Sequence, residues 1–454
     1  MSGPAAPWAR RRRLVGLALR RGFDVVVTRV RRATTGRSRR AELDDALLIR
    51  SADDVTRQLG QMKGAAMKLG QMLSFVVDGL PPEAQESLAQ LQAGVAPMSS
   101  ELAASVVREE LGAAPTRLFA RWDPEPVAAA SIGQVHRARL ADGRDVAVKV
   151  QYPDLEDAIG SDLADARRFG AVLSARMLPG VDVAGLADEL VDRLADELDY
   201  RIEAANQQAF ADRYRGHPFL SVPDVVPERS ARRVLTTTWA PGRTFAELVA
   251  GSDQATRDRA GEAIFRFAQS SILVERRFNA DTHPGNYRFD PEGRVTVLDF
   301  GLVKELGPDI FYRFMAVFDA VMDIDAEATT AAMVGAGFLA PDHGLDPQRV
   351  FACVSAPYRA YETDEFTFTP AYAGQALRSL LDVRGPYADV LAALDMPPAF
   401  VLVDRVVWGI SGVLGQLGAT APWRAIVAEY RHGAPPATPL GEQEAAWRRR
   451  GAPA

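Results

Sequence analysis

The stretch NADTHPGNYRFDPEGRVTVLDFG, residues 279–301, decides the fold of this chain. It begins with a polar loop in which Asp281 and Asn286 stand five positions apart. It ends with a short apolar strand that runs directly into an Asp-Phe-Gly tripeptide beginning at Asp299. Carboxylate and amide oxygens in this pattern are typical ligands of a magnesium ion that shields neighbouring phosphates. The stretch therefore predicts a phosphate-handling cleft.

A lysine on an upstream β-hairpin belongs to the same pattern. The segment PVAAASIGQVHRARLADGRDVAVKVQYP, residues 126–153, predicts a strand over 131–140 and a turn at Asp142-Gly143. A second strand is predicted over 145–150, and it carries Lys149. A helix bearing acids follows downstream, ahead of the polar loop. The chain thus presents a strand lysine, a helix acid, a polar loop and an Asp-Phe-Gly tripeptide in that order.

These four elements resemble the signature set of a protein kinase. In that set Lys149 would pair with the α- and β-phosphates of ATP, and Asp281 would orient or deprotonate the attacking hydroxyl or water. Asn286 and Asp299 would hold Mg²⁺. Taken singly, each residue has a simpler interpretation: Lys149 as an ordinary surface lysine, Asp281 as a turn residue and Asp299 as a helix or turn cap. The order and the secondary-structure context of all four favour the kinase set.

The remaining pattern predicts an α+β fold of the bilobal protein-kinase-like type. Helical periodicity covers 44–107 and 157–215, and residues 309–430 read mainly as helices. We expect a small mixed β/α N-lobe and a larger helical C-lobe. The predicted organisation is a basic N-terminal arm at 1–45, a helical extension at 46–115, the N-lobe at 116–242, the C-lobe at 243–432 and a C-terminal tail at 433–454.

Composition excludes several classes of protein. The single cysteine, Cys353, excludes an intramolecular disulfide and a cysteine metal cluster, which fits a reducing cytoplasm. No apolar run reaches the length of a membrane span. The first forty residues carry a net charge of +11 and the remainder −17, so a nucleic-acid partner is not expected for the acidic body. The arginine-rich arm either binds an acidic membrane surface peripherally or is a solvated tail.

Further motifs identify the chain as similar to the UbiB/ADCK (AarF-domain) atypical kinase-like family, over roughly residues 45–305. They are a KxGQ motif at Lys68, Gly70 and Gln71; an alanine-rich loop at Ala128, Ala129, Ala130 and Ser131; an ExD motif at Glu197 and Asp199; and an EAxN segment from Glu203 to Asn206. The alanine loop stands where protein kinases have glycines, and it predicts a stiffer loop over the phosphates. Only four of the 53 basic residues are lysines, which favours specific roles for Lys68 and Lys149.

The resemblance implies roles for these residues. The alanine loop and Lys149 would bind ATP, with Glu203 as the partner of Lys149. Asp199 would share a helix face with Glu203 and point towards the cleft. The KxGQ helix would lie over the active site, with Lys68 approaching the ExD acids and gating the cleft. The family motif has a proline where this chain has Thr282, so a less rigid loop is expected.

Three functions are compatible with this sequence. The first is an ATPase or a small-molecule or lipid kinase that uses ATP and Mg²⁺, acts on a lipid or quinone-like partner and supports isoprenoid-quinone metabolism, as in ubiquinone biosynthesis. The second is a nucleotide-sensing binding module without phosphoryl transfer. The third is a conventional protein kinase, ranked last because the chain after Asp299 is predicted to enter a helix almost at once. It also lacks an Ala-Pro-Glu segment at the expected place.

Overall fold

The computed structural model describes residues 98–130, 132–153, 198–291, 293–372, 385–395 and 398–451. The predicted basic arm, most of the predicted helical extension and most of the helical stretch over 157–215 lie outside these ranges. The strands are β1 (Arg121–Trp122), β2 (Ala128–Ala130), β3 (Gly133–Arg139), β4 (Asp145–Gln151), β5 (Leu220–Ser221), β6 (Val234–Thr238), β7 (Arg277–Asn279), β8 (Tyr287–Phe289), β9 (Val295–Val297), β10 (Val303–Glu305), β11 (Phe366–Thr367) and β12 (Thr420–Ala421). The helices are α1 (Ser100–Leu111), α2 (Pro115–Leu118), α3 (Tyr200–Arg213), α4 (Phe245–Gly251), α5 (Gln254–Gln269), α6 (Pro308–Met322), α7 (Ala326–Gly335), α8 (Pro347–Val354), α9 (Ala388–Ala393), α10 (Pro398–Leu417), α11 (Trp423–His432) and α12 (Pro439–Arg449).

The described residues of 98–242, called the sheet region, are built around an antiparallel sheet. Its strand order is β1-β3-β4-β6, and β2 also pairs with β3. The predicted hairpin is confirmed, because β3 and β4 pair from Gly133 opposite Gln151 to Arg139 opposite Asp145. The turn between them places Gly143 at φ 91°, a left-handed conformation that glycine adopts without a Cβ clash.

The two faces of this sheet are covered by different helices. Val146, Val148 and Val150 of β4 are fully buried against Val106 and Val107 of α1. Since side chains alternate along a strand, the residues between these valines point to the opposite face, which α3 covers. The sequence assigned α1 to the helical extension, whereas in the structure it is part of the core of the sheet region.

The described residues of 243–451, called the helical region, surround α5. That helix is buried along its second half, from Ala260 to Gln269, and packs against α10, α11 and α12. It continues into one π-helical turn, Ser270–Val274, in which the Glu275 N–H donates to the Ser270 carbonyl at 3.0 Å. This turn leads directly into β7 and the polar loop. Within the described ranges, no helix is both long and apolar enough to span a membrane.

The structure departs from the sequence predictions in two further places. The chain after Asp299 does not enter a helix at once, because β10 forms first and pairs antiparallel with β7 before α6 begins at Pro308. The segment predicted as a C-terminal tail forms α12, whose Leu440 is buried in the core around α5 and whose Trp447 packs against His217. Both departures depend on contacts with distant parts of the chain.

Candidate active site

Lys149 on β4 is held between two carboxylates. Its Nζ donates to Oε1 and Oε2 of Glu203 at 2.8 and 2.9 Å and lies 3.4 Å from Oδ2 of Asp299. The Glu203 side chain is only 7% exposed. Burial alone would lower the pKa of the Lys149 ammonium, but the charges of Asp299 and Glu203 raise that pKa well above its ordinary value. Lys149 is therefore a fixed, permanently charged cation at this site.

Helix α3 positions Glu203, and Asp199 begins this helix rather than sharing its face. Asp199 is the N-cap residue, with extended backbone and a side chain that accepts from the Arg201 N–H at 3.0 Å. The same carboxylate pairs with the Arg201 guanidinium at 2.6 Å. The predicted placement of Asp199 beside Glu203 on one helix face is therefore wrong, because capping requires non-helical backbone at that position.

Several predicted site residues lie outside the described part of the chain. They are Lys68, Gly70 and Gln71 of the KxGQ motif, Ser131 of the alanine loop, and Glu197 of the ExD motif. The gating role proposed for the KxGQ helix stays a prediction.

The polar loop is fixed by hydrogen bonds within its own sequence. The Asn286 N–H donates to the His283 carbonyl at 3.0 Å, and the Asn286 side-chain amide donates to the Asp281 carbonyl at 3.3 Å. The Leu298 N–H donates to the Asn286 carbonyl at 2.9 Å, which brings the loop alongside the residue that precedes Asp299. The structure thus brings Asp281, Asn286 and Asp299 together, as the sequence predicts.

One buried residue of this site was not identified from the sequence. Asn279 is 6% exposed, and its amide contacts the backbones of both Asp281 and Asp299. Asn206 is half-buried and also contacts the Asp-Phe-Gly segment: its side-chain N–H donates to the Phe300 carbonyl at 3.3 Å, and its oxygen accepts from Arg277 at 2.7 Å. The EAxN motif contained Asn206, but nothing in the sequence revealed its partners.

The alanine-rich segment is a paired strand. Ala128, Ala129 and Ala130 form β2 and pair in register with β3, where Ala130 lies opposite Gly133. A Cβ at Gly133 would lie 2.3 Å from the Val150 carbonyl oxygen and 2.9 Å from the Tyr200 hydroxyl. Only glycine fits there, and it lets β3 approach β4 and α3 closely.

The cleft face of the sheet also carries small, half-buried side chains next to Lys149. Val135 of β3 lies directly opposite Lys149 of β4. Ala147 lies two residues before Lys149 on β4 and on the same face. Thr237 of β6 lies opposite Ala147. These short side chains therefore lie on the same face of the sheet as the cation. Alternation counted back from Lys149 could have found them.

The donors in the cleft fit Mg²⁺ and a nucleotide. The Asn286 amide nitrogen is used within the loop, which leaves its oxygen as a ligand, and the Asp299 side chain is 28% exposed. The described residues hold no group of three or more His, Cys, Asp or Glu side chains that could bind a metal by themselves. Two protein oxygens completed by phosphate and water oxygens are the set that Mg²⁺ prefers.

The structure places a lysine–glutamate pair, an Asp-x-x-x-x-Asn loop and an Asp-Phe-Gly segment between a β-sheet and a helical region. These features define a protein-kinase-like protein. Comparison with known families narrows this class. The sequence model of the ABC1 atypical kinase-like domain matches residues 90–333, more than half of the chain. The chain belongs to this family, which is the UbiB/ADCK family predicted from its motifs.

Named relatives support the same assignment. The chloroplastic Protein ACTIVITY OF BC1 COMPLEX KINASE 8 of Arabidopsis thaliana is 37% identical over 294 residues, which are 62% of this chain and 38% of that protein. An uncharacterized aarF domain-containing protein kinase of the same plant, At1g71810, is 30% identical over 85% of this chain and 54% of its own length. The chain thus spans about half the length of these relatives or less. A solved structure, Rv3197 of Mycobacterium tuberculosis in complex with erythromycin, is 31% identical, with a TM-score of 0.63, and covers 86% of this chain and 97% of that one.

Proposed function

We propose that this chain binds ATP with Mg²⁺ in the cleft between the sheet region and the helical region, which act as the two lobes of a kinase-like fold. The observation that carries the proposal is Lys149, held by Glu203 at 2.8 Å with Asp299 at 3.4 Å. A largely buried cation fixed beside a partly exposed carboxylate is what a triphosphate and its metal require.

Each residue of the site then has a defined task. Lys149 binds the α- and β-phosphates, and Glu203 holds its flexible side chain in place. Asn286 and Asp299 would hold Mg²⁺, which when bound neutralises charge between the phosphates. Asp281 orients the attacking hydroxyl or water and accepts its proton at a side-chain oxygen.

We propose further that the phosphoryl acceptor is water or a small molecule, such as a lipid or quinone-like hydroxyl, rather than a protein. The chain from Leu302 to Gly307 is short, and β10 within it is paired to β7. It therefore leaves no free loop on which a peptide substrate could dock. The family resemblance favours a role in isoprenoid-quinone or lipid metabolism.

The second candidate is a nucleotide-dependent binding module that does not transfer phosphate. It is favoured by the solved relative, whose structure is described as a complex with erythromycin, a bulky amphipathic ligand. In this function ATP would change the affinity of the chain for such a ligand without being consumed.

ATP turnover by the full chain tests these proposals. We expect Mg²⁺-dependent turnover that falls at least about 100-fold in Asp299→Asn, because a carboxylate that would hold Mg²⁺ against the phosphates is replaced by a neutral amide. Asp290→Asn is the matched control: Asp290 accepts from the Arg294 N–H in the β8–β9 turn, a bond that asparagine can also accept.

Candidate ligands separate the two functions. Assays with and without quinone-like lipids, vesicles and erythromycin ask whether any of them raises turnover or binds in an ATP-dependent way. Normal turnover in Asp299→Asn would refute the proposed site. ATP binding without turnover under every condition would select the binding module.

A further inference from the structure

Strand β7 leads directly into the polar loop that carries Asp281. It pairs with β10, with Asn279 opposite Val303 and Phe278 opposite Lys304. Phe278 is 1% exposed and packs in the core of the helical region. Because side chains alternate along a strand, Asn279 points to the other side, towards the cleft.

The Asn279 amide bridges the backbones of Asp281 and Asp299. Its Nδ2 donates to the Asp299 carbonyl at 2.5 Å, and its Oδ1 accepts from the Asp281 N–H at 2.9 Å. The residue is 6% exposed, so both bonds are shielded from competition with water. A single amide thus satisfies one donor and one acceptor in two chain segments eighteen positions apart.

The chemistry of this bridge needs both ends of the amide. A carboxylate could accept from the Asp281 N–H, but it would place a negative oxygen against the Asp299 carbonyl. A serine is too short to span both partners. An apolar residue would leave a buried N–H and a buried carbonyl unpaired, each at a free-energy cost.

We propose that Asn279 is a positioning residue: its amide fixes the spacing between Asp281, which handles the acceptor, and Asp299, which would hold the metal. This inference deepens the proposed function and rests on it. The Lys149–Glu203 bonds involve neither Asn279 nor the backbone atoms that it bridges. Loss of Asn279 should therefore affect the catalytic step more than nucleotide binding.

The kinetic test compares Asn279→Ser and Asn279→Asp with wild type in the full chain. We expect kcat to fall on the order of 10–100-fold, as for residues that orient metal ligands, with the KM for ATP within about twofold of wild type. Asn279→Ser adds no buried charge, so it serves if Asn279→Asp folds poorly. A change confined to the KM for ATP, or an unchanged kcat in a folded variant, overturns the proposal.

Asn206→Asp is the matched comparison, since it makes the same chemical change beside the same segment. Its bond to the Phe300 carbonyl is longer, at 3.3 Å, and Arg277 at 2.7 Å would neutralise the new carboxylate. We expect a smaller loss of kcat than in Asn279→Asp. Equal losses in the two variants would mean that any added charge in this region disturbs the site, and would overturn the specific role of Asn279.

Hydrogen exchange tests the bridge without any nucleotide. In wild type the Asp281 amide should exchange slowly, and in Asn279→Ser peptides covering 278–289 and 295–303 should exchange faster. Unchanged exchange overturns the inference whatever the wild-type protein does with ATP. A wild-type chain that neither binds nor turns over ATP would instead overturn the proposed function, and faster exchange in the variant would still support the bridge.

Discussion

Thr282 occupies the position where the family motif has a proline, and it lies against a glycine of α10. A Cβ added at Gly409 would lie 1.9 Å from Thr282 Oγ1 and 3.0 Å from Thr282 Cβ. Since Thr282 follows Asp281 directly, this contact determines how closely the polar loop can approach α10. The loop that lacks the rigid proline is therefore supported by a neighbouring helix with no side chain at the point of contact.

We expect Gly409→Ala to destabilise the protein by about 1–3 kcal/mol and to lower ATP turnover, because the new methyl group must displace the loop or the helix. Gly412→Ala in the same helix is the control, since its Cβ would meet no atom within 4 Å. That change should stabilise the protein by about 0.5–1 kcal/mol, as alanine favours helix over glycine. Thermal unfolding and turnover assays measure both effects.

A double variant separates the contact from other effects of Gly409→Ala. Thr282→Ala removes the oxygen at 1.9 Å but leaves Cβ at 3.0 Å, so it should relieve the clash in part. Additive losses in Gly409→Ala/Thr282→Ala would contradict direct contact, because coupled residues give non-additive free energies.

The residues of the candidate site could be predicted where a local sequence pattern contains them. Lys149, Asp281 and Asp299 stand in an order and a context that the sequence displays directly. Asn279 was missed because its role depends on where another segment lies, and Asp199 was misjudged because the helical pattern did not show that α3 begins at that residue. An asparagine two residues before an aspartate resembles any loop asparagine until the Asp299 carbonyl is placed against it.

At the scale of elements, α12 shows how a buried ionic network holds the end of the chain. Arg266 of α5 is fully buried, and its guanidinium binds Glu429 of α11 through two bonds of 2.8 and 2.9 Å. Glu444 of α12 lies 3.4 Å from the same guanidinium and accepts from the Tyr430 hydroxyl at 2.6 Å. Helix α12 is therefore docked by charge as well as by apolar contact.

Acid should weaken this docking. Burial would raise the pKa of Glu444, but the nearby His217 imidazole, the Arg448 guanidinium and the Tyr430 hydroxyl lower it to about 2, from an ordinary value of 4.5. The unfolded chain therefore takes up this proton first as the pH falls. The stabilisation is complete above about pH 5 and is lost towards pH 2, at a cost of up to about 3 kcal/mol.

Urea unfolding between pH 7 and pH 2.5 measures this dependence. Glu444→Gln should lower stability at pH 7, because it leaves buried arginines short of a carboxylate, and it should flatten the slope below pH 5. Glu442→Gln changes an exposed glutamate of the same helix and should keep the wild-type slope. Equal slopes in wild type and Glu444→Gln would show that Glu444 does not carry the acid dependence.

Long elements were predicted better than short elements or elements whose buried face includes a charged residue. The β3–β4 hairpin follows from alternation and a two-residue turn signal, both local. Strand β10 has three residues, too few to show a period, and it forms because β7 is available to pair with it. Helix α12 was mistaken for a tail because its buried stripe includes Glu444, a residue type that is buried only when it has partners.

At the scale of the whole molecule, the sequence predicts a mixed region followed by a helical region. It does not predict which distant segments pair or pack within them. Strand β5 pairs in parallel with β9, with Leu220 opposite Val295. Arg266 reaches Glu429, 163 positions along the chain. Such pairs leave no local signature. The core around α5 also takes in Phe210 of α3 and Leu220 of β5, and the core of the sheet is separate from it. Lys149 and Asp299, which the motifs single out, nevertheless lie 3.4 Å apart.

The charge distribution of the whole chain leads us to propose that the N-terminal arm, residues 1–45, binds acidic membrane surfaces. The first forty residues carry +11 while the rest carries −17, so an anionic bilayer attracts the arm and repels the body. Each arginine near such a surface contributes about 1 kcal/mol, and this attraction is screened as the Debye length falls from about 10 Å at 0.1 M salt to about 3 Å at 1 M.

We therefore expect the full chain to float with phosphatidylserine-rich vesicles at low salt, and to lose this binding at high salt or with neutral phosphatidylcholine vesicles. Replacing the four arginines at 10–13 with glutamine keeps the length of the arm and should weaken flotation by lowering its charge. Binding that survives high salt would indicate hydrophobic insertion through the apolar run at 14–19 instead. Absence of flotation at low salt would identify the arm as a solvated tail, because its charge would then be insufficient to overcome repulsion of the acidic body.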